Sequence, residues 1–327
     1  MPTRTFIEAI RDGMSSELRR DPMVIILGED VGPKGGVFLA TDGLWGEFGD
    51  DRVIDTPLTE SMIVGTAIGA ALNGLRPIAE IQFADFIFPA FNQIVSEAAR
   101  MRYRSNNGFG VPMVIRAPYG GGVHGALYHS QSVEAFFAHV PGLKVVVPST
   151  PYDAKGLLRT AVRDEDPVLF LEHKKMYRSV RGEVPDGEYV VPLGRAAIRR
   201  PGRQLTVVAY GLMSLYALEA AERVAAEGID VEVVDLRSLR PLDRDTLLTS
   251  VRKTGKCLVV HEDNKFGGYG AEIAAIVAED AFDYLDGPVS RLAGPDVPAF
   301  PYNHALEDWF MPNPSRIADA IRRLAAY

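Results

Sequence analysis

Short, continuously apolar runs alternate along this chain with longer stretches of helical period. Met23-Val-Ile-Ile-Leu27, Val53-Ile54, Arg76–Phe83, Pro112-Met-Val-Ile-Arg116, Leu143–Val147 and Val168–Leu171 are the apolar runs of the first half. Leu205–Ala209, Val231–Asp235 and Cys257–Val260 are those of the second. Runs without polar alternation are typical of parallel strands covered on both faces. Residues 5–19, 153–163, 214–227 and 271–284 read as helices, and the stretch after Phe88 to Arg104 reads as helical too. The βα rhythm predicts an α/β fold with two parallel-sheet domains. Between about Met176 and Gly194 the apolar pattern gives way to charges, glycine and proline, as expected of a linker. We place the domains at residues 1–185 and 186–327.

Candidate chemistry gathers just past the strand ends, where open α/β sheets bind ligands. Gly28-Glu29-Asp30 closes one strand with two carboxylates. Asp55-Thr56-Pro57-Leu58-Thr59-Glu60 leads from another into a helix, with Thr59 as N-cap and Glu60 in the first turn. On these residues alone, Glu60 is either a carboxylate favoured by the helix macrodipole or a functional acid. Gly65, Ala67, Gly69, Ala70 and Ala71 make that helix narrow enough for another backbone to approach, in a core or at a subunit interface. Phe86, past the third strand, is a core aromatic or a platform for a flat ring. The loop Gly120–Gln131 carries His124 and His129, five residues apart, which is not the spacing of a zinc motif. His129 is the better candidate for acid–base or ligand contact. The acidic turn Asp164-Glu165-Asp166-Pro167 is a solvated loop or a set of hard oxygen donors for a cation. Gly32–Gly36 lacks P-loop spacing, and Gly267–Gly270 lacks the third glycine of a dinucleotide fingerprint.

Composition narrows the classes. The length of 327 residues suits two open-sheet domains, and 47% hydrophobic residues supply their cores. A net charge of -8 argues against nucleic acid or an anionic membrane as partner. The one cysteine, Cys257, excludes an internal disulfide and is expected to be a buried thiol. The N-terminus has no apolar signal region, and no run approaches the roughly 18 residues of a membrane span. A cytoplasmic setting is expected.

Several of these segments, in order and with matching spacing, resemble the beta subunit of thiamine-diphosphate-dependent 2-oxo acid dehydrogenases. They are Asp55–Glu60, Glu80-Ile-Gln-Phe-Ala-Asp-Phe86, Tyr128-His-Ser-Gln131, Pro141–Val145 and Val234-Asp-Leu-Arg237. The stretch Gly125–His139 is most similar to the branched-chain type; pyruvate and acetoin enzymes are the alternatives. The resemblance implies a pyrimidine-binding domain followed by a transketolase C-terminal-type domain. It implies that Glu60 activates the cofactor, because a carboxyl group donating to the pyrimidine nitrogen favours the imino tautomer that takes the thiazolium proton. A largely apolar site would assist by raising that acid's pKa. Phe86 then corresponds to the platform under the aminopyrimidine, Glu29 to an acidic position near the cofactor, and His129 to the histidine facing substrate and lipoyl group. Met113, Ala161, Val162, Asp164 and Asp166 match a potassium-binding loop of some members; this chain has Asp166 where relatives often have Asn.

The family's Gly-Asp-Gly diphosphate and magnesium motif is absent, although the chain has Thr41-Asp-Gly43 and Pro185-Asp-Gly187. In two-chain members that motif lies on the alpha subunit. The resemblance therefore implies an α2β2 assembly sharing thiamine diphosphate, with magnesium held by alpha and a lipoyl acyltransferase core as further partner. A nicotinamide oxidoreductase would need a Gly-x-Gly-x-x-Gly turn after a strand, which we do not find. A non-catalytic assembly subunit would have no reason to keep Glu60, Phe86 and His129 together.

Overall fold

The computed structural model describes all 327 residues. No helix in it is long and apolar enough to cross a membrane. The chain packs as two compact units, one of residues 1–119 and 136–193, the other of residues 120–135 and 194–327. The composition shift near residue 185 predicts a simple succession of domains at 185/186. The units instead divide at Leu193/Gly194, and the loop segment Gly120–Ala135 packs with the second unit.

In the first unit, β1 (Thr3–Thr5) pairs antiparallel with β8 (Arg181–Glu183). Thr5 and Glu8 form a reciprocal capping box that starts the helix Phe6–Arg20. The main sheet contains β2 (Val24–Gly28), β3 (Val53–Asp55), β4 (Arg76–Glu80), β5 (Val114–Tyr119), β6 (Lys144–Val146) and β7 (Val168–His173). These six run in the order β6-β7-β5-β4-β2-β3, all parallel. Helices Phe6–Arg20 and Pro151–Arg163 pack together, joined by buried Glu17, which accepts from Arg159, Arg163 and Arg20. The stretch after Phe86 is not one α-helix. Two short 3-10 turns, Ala84–Phe86 and Phe88–Ala90, lead into a π-helical segment, Gln93–Ala98, and then Met101–Arg104.

The sheet's centre is pinned by a buried charge network. Arg116 on β5 donates to both oxygens of Glu172 on β7 at 2.7 Å and to Glu80 on β4 at 2.5 Å. The Tyr177 hydroxyl donates to Glu172 at 2.6 Å. A guanidinium shared by two carboxylates is a geometry that offsets the desolvation of all three groups.

The second unit has β9 (Ala197–Arg200), β10 (Leu205–Ala209), β11 (Val231–Asp235), β12 (Ser238–Arg240), β13 (Cys257–Asn264) and β14 (Ser290–Gly294). Five of them form a sheet ordered β14-β13-β10-β11-β9, parallel except for the edge strand β9. Helices Leu212–Ala225, Arg244–Thr254, Gly270–Asp280 and Pro314–Ala325 accompany it. Cys257 is buried in β13, and burial pushes its thiol up to about 12, far from reactivity.

Candidate active site

The first unit brings three of the expected site residues to the C-terminal tips of adjacent strands. β2 lies between β3 and β4, and Gly28 is in register with both Asp55 and Glu80. Glu29 is the next residue after Gly28. The chain leaving β3 reaches Glu60, and the chain leaving β4 reaches Phe86. Gly28 is required for this closeness: a Cβ there would stand 2.8 Å from the Glu80 carbonyl. The tips are tied by Thr56 N–H to the Gly28 carbonyl at 2.9 Å and by Gly32 N–H to the Asp55 carboxylate at 2.6 Å.

Glu60 is the first residue of the helix Glu60–Leu72 and is half-buried. Thr59 does occupy the N-cap position, but its side chain does not cap. Its hydroxyl donates instead to the Leu58 carbonyl at 2.6 Å. The helix N–H groups near Glu60 are therefore not answered by the threonine, and the Glu60 carboxyl lies at the positive end of the helix. Partial burial, then the neighbouring carboxylates of Asp30 and Glu60, push the Glu29 pKa up. Phe86 is half-buried and lies edge-on to Phe83, with ring centroids 5.6 Å apart. One face of the same helix is open: no atom of the chain lies within 4 Å of where a Cβ on Gly69 would be, and Leu58, Met62 and Leu72 are exposed. Gly69 is thus exposed, while Gly65 is half-buried against Gln93.

His129 lies on the Gly120–Ala135 segment, within the second unit. Gly120, Gly122, His124 and Ala126 all have positive φ, so the loop follows a backbone path that glycines favour. Gly125 has no room for a side chain, since a Cβ would stand 2.5 Å from the His129 carbonyl. Two buried carboxylates hold the loop by its N–H groups. Glu262 accepts from Gly121 at 2.6 Å and from the Ser132 hydroxyl at 3.3 Å. Glu307 accepts from Gly122 at 2.7 Å, and its other oxygen is 2.6 Å from His124 Nδ1. His124 is thus a holding residue of the loop. Beneath it, Glu134 receives the Tyr210 hydroxyl at 2.8 Å. Burial and nearby Asp263 push the Glu134 carboxyl well above the usual range, and burial raises Asp263 as well.

Glu262, Glu307 and Arg116 carry no motif that points to their roles. Glu262 and Arg116 had one signal, a charge set within an apolar strand, which is expensive unless partnered. Glu307 lies in the helix His304–Phe310 and had none.

The acidic turn does not fit an alkali cation. Both oxygens of the Asp164 carboxylate accept from Lys144 Nζ, each at 2.6 Å. Asp166 accepts from Arg102 Nε at 2.5 Å. The Val162 and Asp164 carbonyls accept from Arg76 Nη1 at 3.2 and 3.1 Å. The Ala161 carbonyl accepts from Asp164 N–H, and the Met113 carbonyl from Val168 N–H. Each of the five expected ligands is already engaged by a donor of the protein.

The transketolase pyrimidine-binding domain matches residues 3–180, and the transketolase C-terminal domain matches residues 194–317. Over all 327 residues the chain is 58% identical to the 2-oxoisovalerate dehydrogenase subunit beta of Bacillus subtilis (strain 168), covering both chains fully. The chain belongs to the 2-oxo acid dehydrogenase beta-subunit family. The pyruvate dehydrogenase E1 component subunit beta of the same organism is 48% identical, again with full coverage of both chains. Among solved structures, a split gene transketolase described as an inactive beta4 tetramer superposes with a TM-score of 0.81 at 25% identity, covering 98% of each chain. This beta-subunit family is thiamine diphosphate-dependent and works with an alpha subunit. The three strand tips carry an aromatic ring, Phe86, and the carboxyl groups of Glu60 and Glu29, groups of the kind a flat heteroaromatic ring needs. They do not suit the cofactor's diphosphate, because Lys34, the cation nearest Glu29, is paired with Asp30 at 2.5 Å.

Proposed function

We propose that this chain is the beta subunit of the decarboxylating component of a branched-chain 2-oxo acid dehydrogenase complex. The observation that carries the proposal is the gathering of Glu29, Glu60 and Phe86 at three neighbouring strand tips of a pyrimidine-binding domain. Bound thiamine diphosphate supplies a carbon nucleophile and an electron sink for decarboxylation. Phe86 supports the aminopyrimidine ring. Glu60 holds a proton for a ring nitrogen, and Glu29, whose pKa is raised, keeps further negative charge low at the same tip. His129 serves the acyl side, where the lipoyl group of an acyltransferase core is reductively acylated. The alpha subunit supplies magnesium and the diphosphate site in an α2β2 assembly, and the open face around Gly69 is a surface for a partner chain. Potassium has no part in this scheme. The setting is cytoplasmic, where the single buried thiol stays reduced.

Branched-chain specificity is favoured by the 58% identity to a 2-oxoisovalerate enzyme against 48% to a pyruvate enzyme. With the alpha subunit and a lipoyl domain, kcat/KM for 2-oxoisovalerate is expected to exceed that for pyruvate by at least about tenfold, as one or two buried methyl groups would give. A clear preference for pyruvate would overturn the substrate class and leave the family chemistry standing.

His129→Ala is expected to lower acyl transfer to a lipoyl domain by about 10²-fold, within the range of acid–base contributions. Thiamine diphosphate affinity should stay within a few-fold. Comparing lipoyl transfer with decarboxylation to an artificial electron acceptor separates the two. Weakened cofactor binding with normal transfer would contradict the assignment.

A further inference from the structure

The turn that closes the helix Pro151–Arg163 concentrates three carboxylates, on Asp164, Glu165 and Asp166, beside carbonyls that have no helical partner. Such a turn needs positive charge to be ordered. Three side chains from distant parts of the first unit provide it. Lys144 at the start of β6 takes the Asp164 carboxylate. Arg102 takes Asp166 with Nε and reaches the Glu165 carbonyl with Nη2 at 3.0 Å. Arg76, the first residue of β4, is the central one. Its Nη1 points between the Val162 and Asp164 carbonyls while its Nη2 pairs with the Glu165 carboxylate. One guanidinium thus bridges two backbone carbonyls and a carboxylate, which is how a monovalent metal ion would organise a turn. Three carboxylates face three fixed cations, so an added potassium ion would meet no net negative charge and carbonyl oxygens already hydrogen-bonded.

We propose that Arg76, with Lys144 and Arg102, is a built-in monovalent cation that makes the 161–166 turn independent of potassium. The chain then dispenses with the alkali-metal dependence that the resemblance would suggest. Arg76 is a positioning residue: it holds the helix end and the turn that follows, and touches no reacting atom.

The test is thermal unfolding of the full chain in potassium chloride and in tetramethylammonium chloride of equal ionic strength. The readout is stability, so it is decided separately from the decarboxylase reading. The wild type is expected to unfold at the same temperature in both salts. Arg76→Gln is expected to unfold several degrees lower in tetramethylammonium and to regain part of the loss on adding potassium. Arg76→Lys, which keeps one cation, is expected to fall between and serves if the glutamine variant does not fold. A saturable, potassium-specific rise in the wild type would overturn the proposal. So would Arg76→Gln stability equal to wild type in both salts.

Discussion

Glu60→Gln is expected to lower turnover of the alpha–beta complex by about 10²-fold or more, the scale of a lost proton donor at a reacting group. The amide is nearly isosteric with the carboxyl, so packing at the helix start is preserved. Stability should change by only about 0.3–1 kcal/mol, the worth of one charge at an exposed helix N-terminus. The two effects are therefore separable. Exchange of the thiazolium C2 proton of bound cofactor, followed by NMR after quenching, reads the chemical role directly. Unfolding temperature reads the structural one. Exchange within a few-fold of wild type would remove Glu60 from the role given to it, and would return it to the reading of a carboxylate placed for the helix dipole alone.

The other large effect is loss of the partner. Alone, the chain should fold but neither bind thiamine diphosphate tightly nor decarboxylate any 2-oxo acid. The two units have their own buried cores, so folding does not need a second chain. The diphosphate, however, needs magnesium with oxygen ligands, or a cluster of cations and helix N-termini. The strand tips instead offer Glu29, Asp30 and Glu60, and Lys34 is spent on Asp30. Calorimetric titration of cofactor and magnesium into the chain, with and without alpha, decides the matter. The expected result is heat only when alpha is present. Tight binding with turnover by the isolated beta chain would sink the half-site argument and the α2β2 assembly together.

Much of the core fold was legible because it is written locally. Val231–Asp235 and Leu205–Ala209 are strands with the limits their apolar runs suggest, since a run of β-branched residues bounded by polar turns has few other solutions. Helix limits moved by one to four residues, as at Leu212–Ala225 and Gly270–Asp280, because frayed ends depend on packing. Thr59 shows the limit of a local rule: the N-cap position was right, yet the hydroxyl found the Leu58 carbonyl first. The segment after Phe86 shows another, since hydrophobic period does not tell a π-helical turn from an α-helical one.

The sequence by itself determined the α/β class, the two parallel sheets, the placing of Glu29, Glu60 and Phe86 just beyond strand ends, and the family. Each follows from residues close together in the chain, where hydrophobic period, turn chemistry and motif spacing act. Only the tertiary structure decided who faces whom. It chose the strand order that sets β2 between β3 and β4, and so brought three tips, from distant parts of the chain, to one edge. It gave the Gly120–Ala135 loop to the second unit, where Glu262 and Glu307 hold it from far along the chain. It filled the acidic turn with ion pairs, because Arg76 lies 86 residues before Val162 yet meets its carbonyl once β4 is in place. Charges find partners through space, and a sequence shows only the charges.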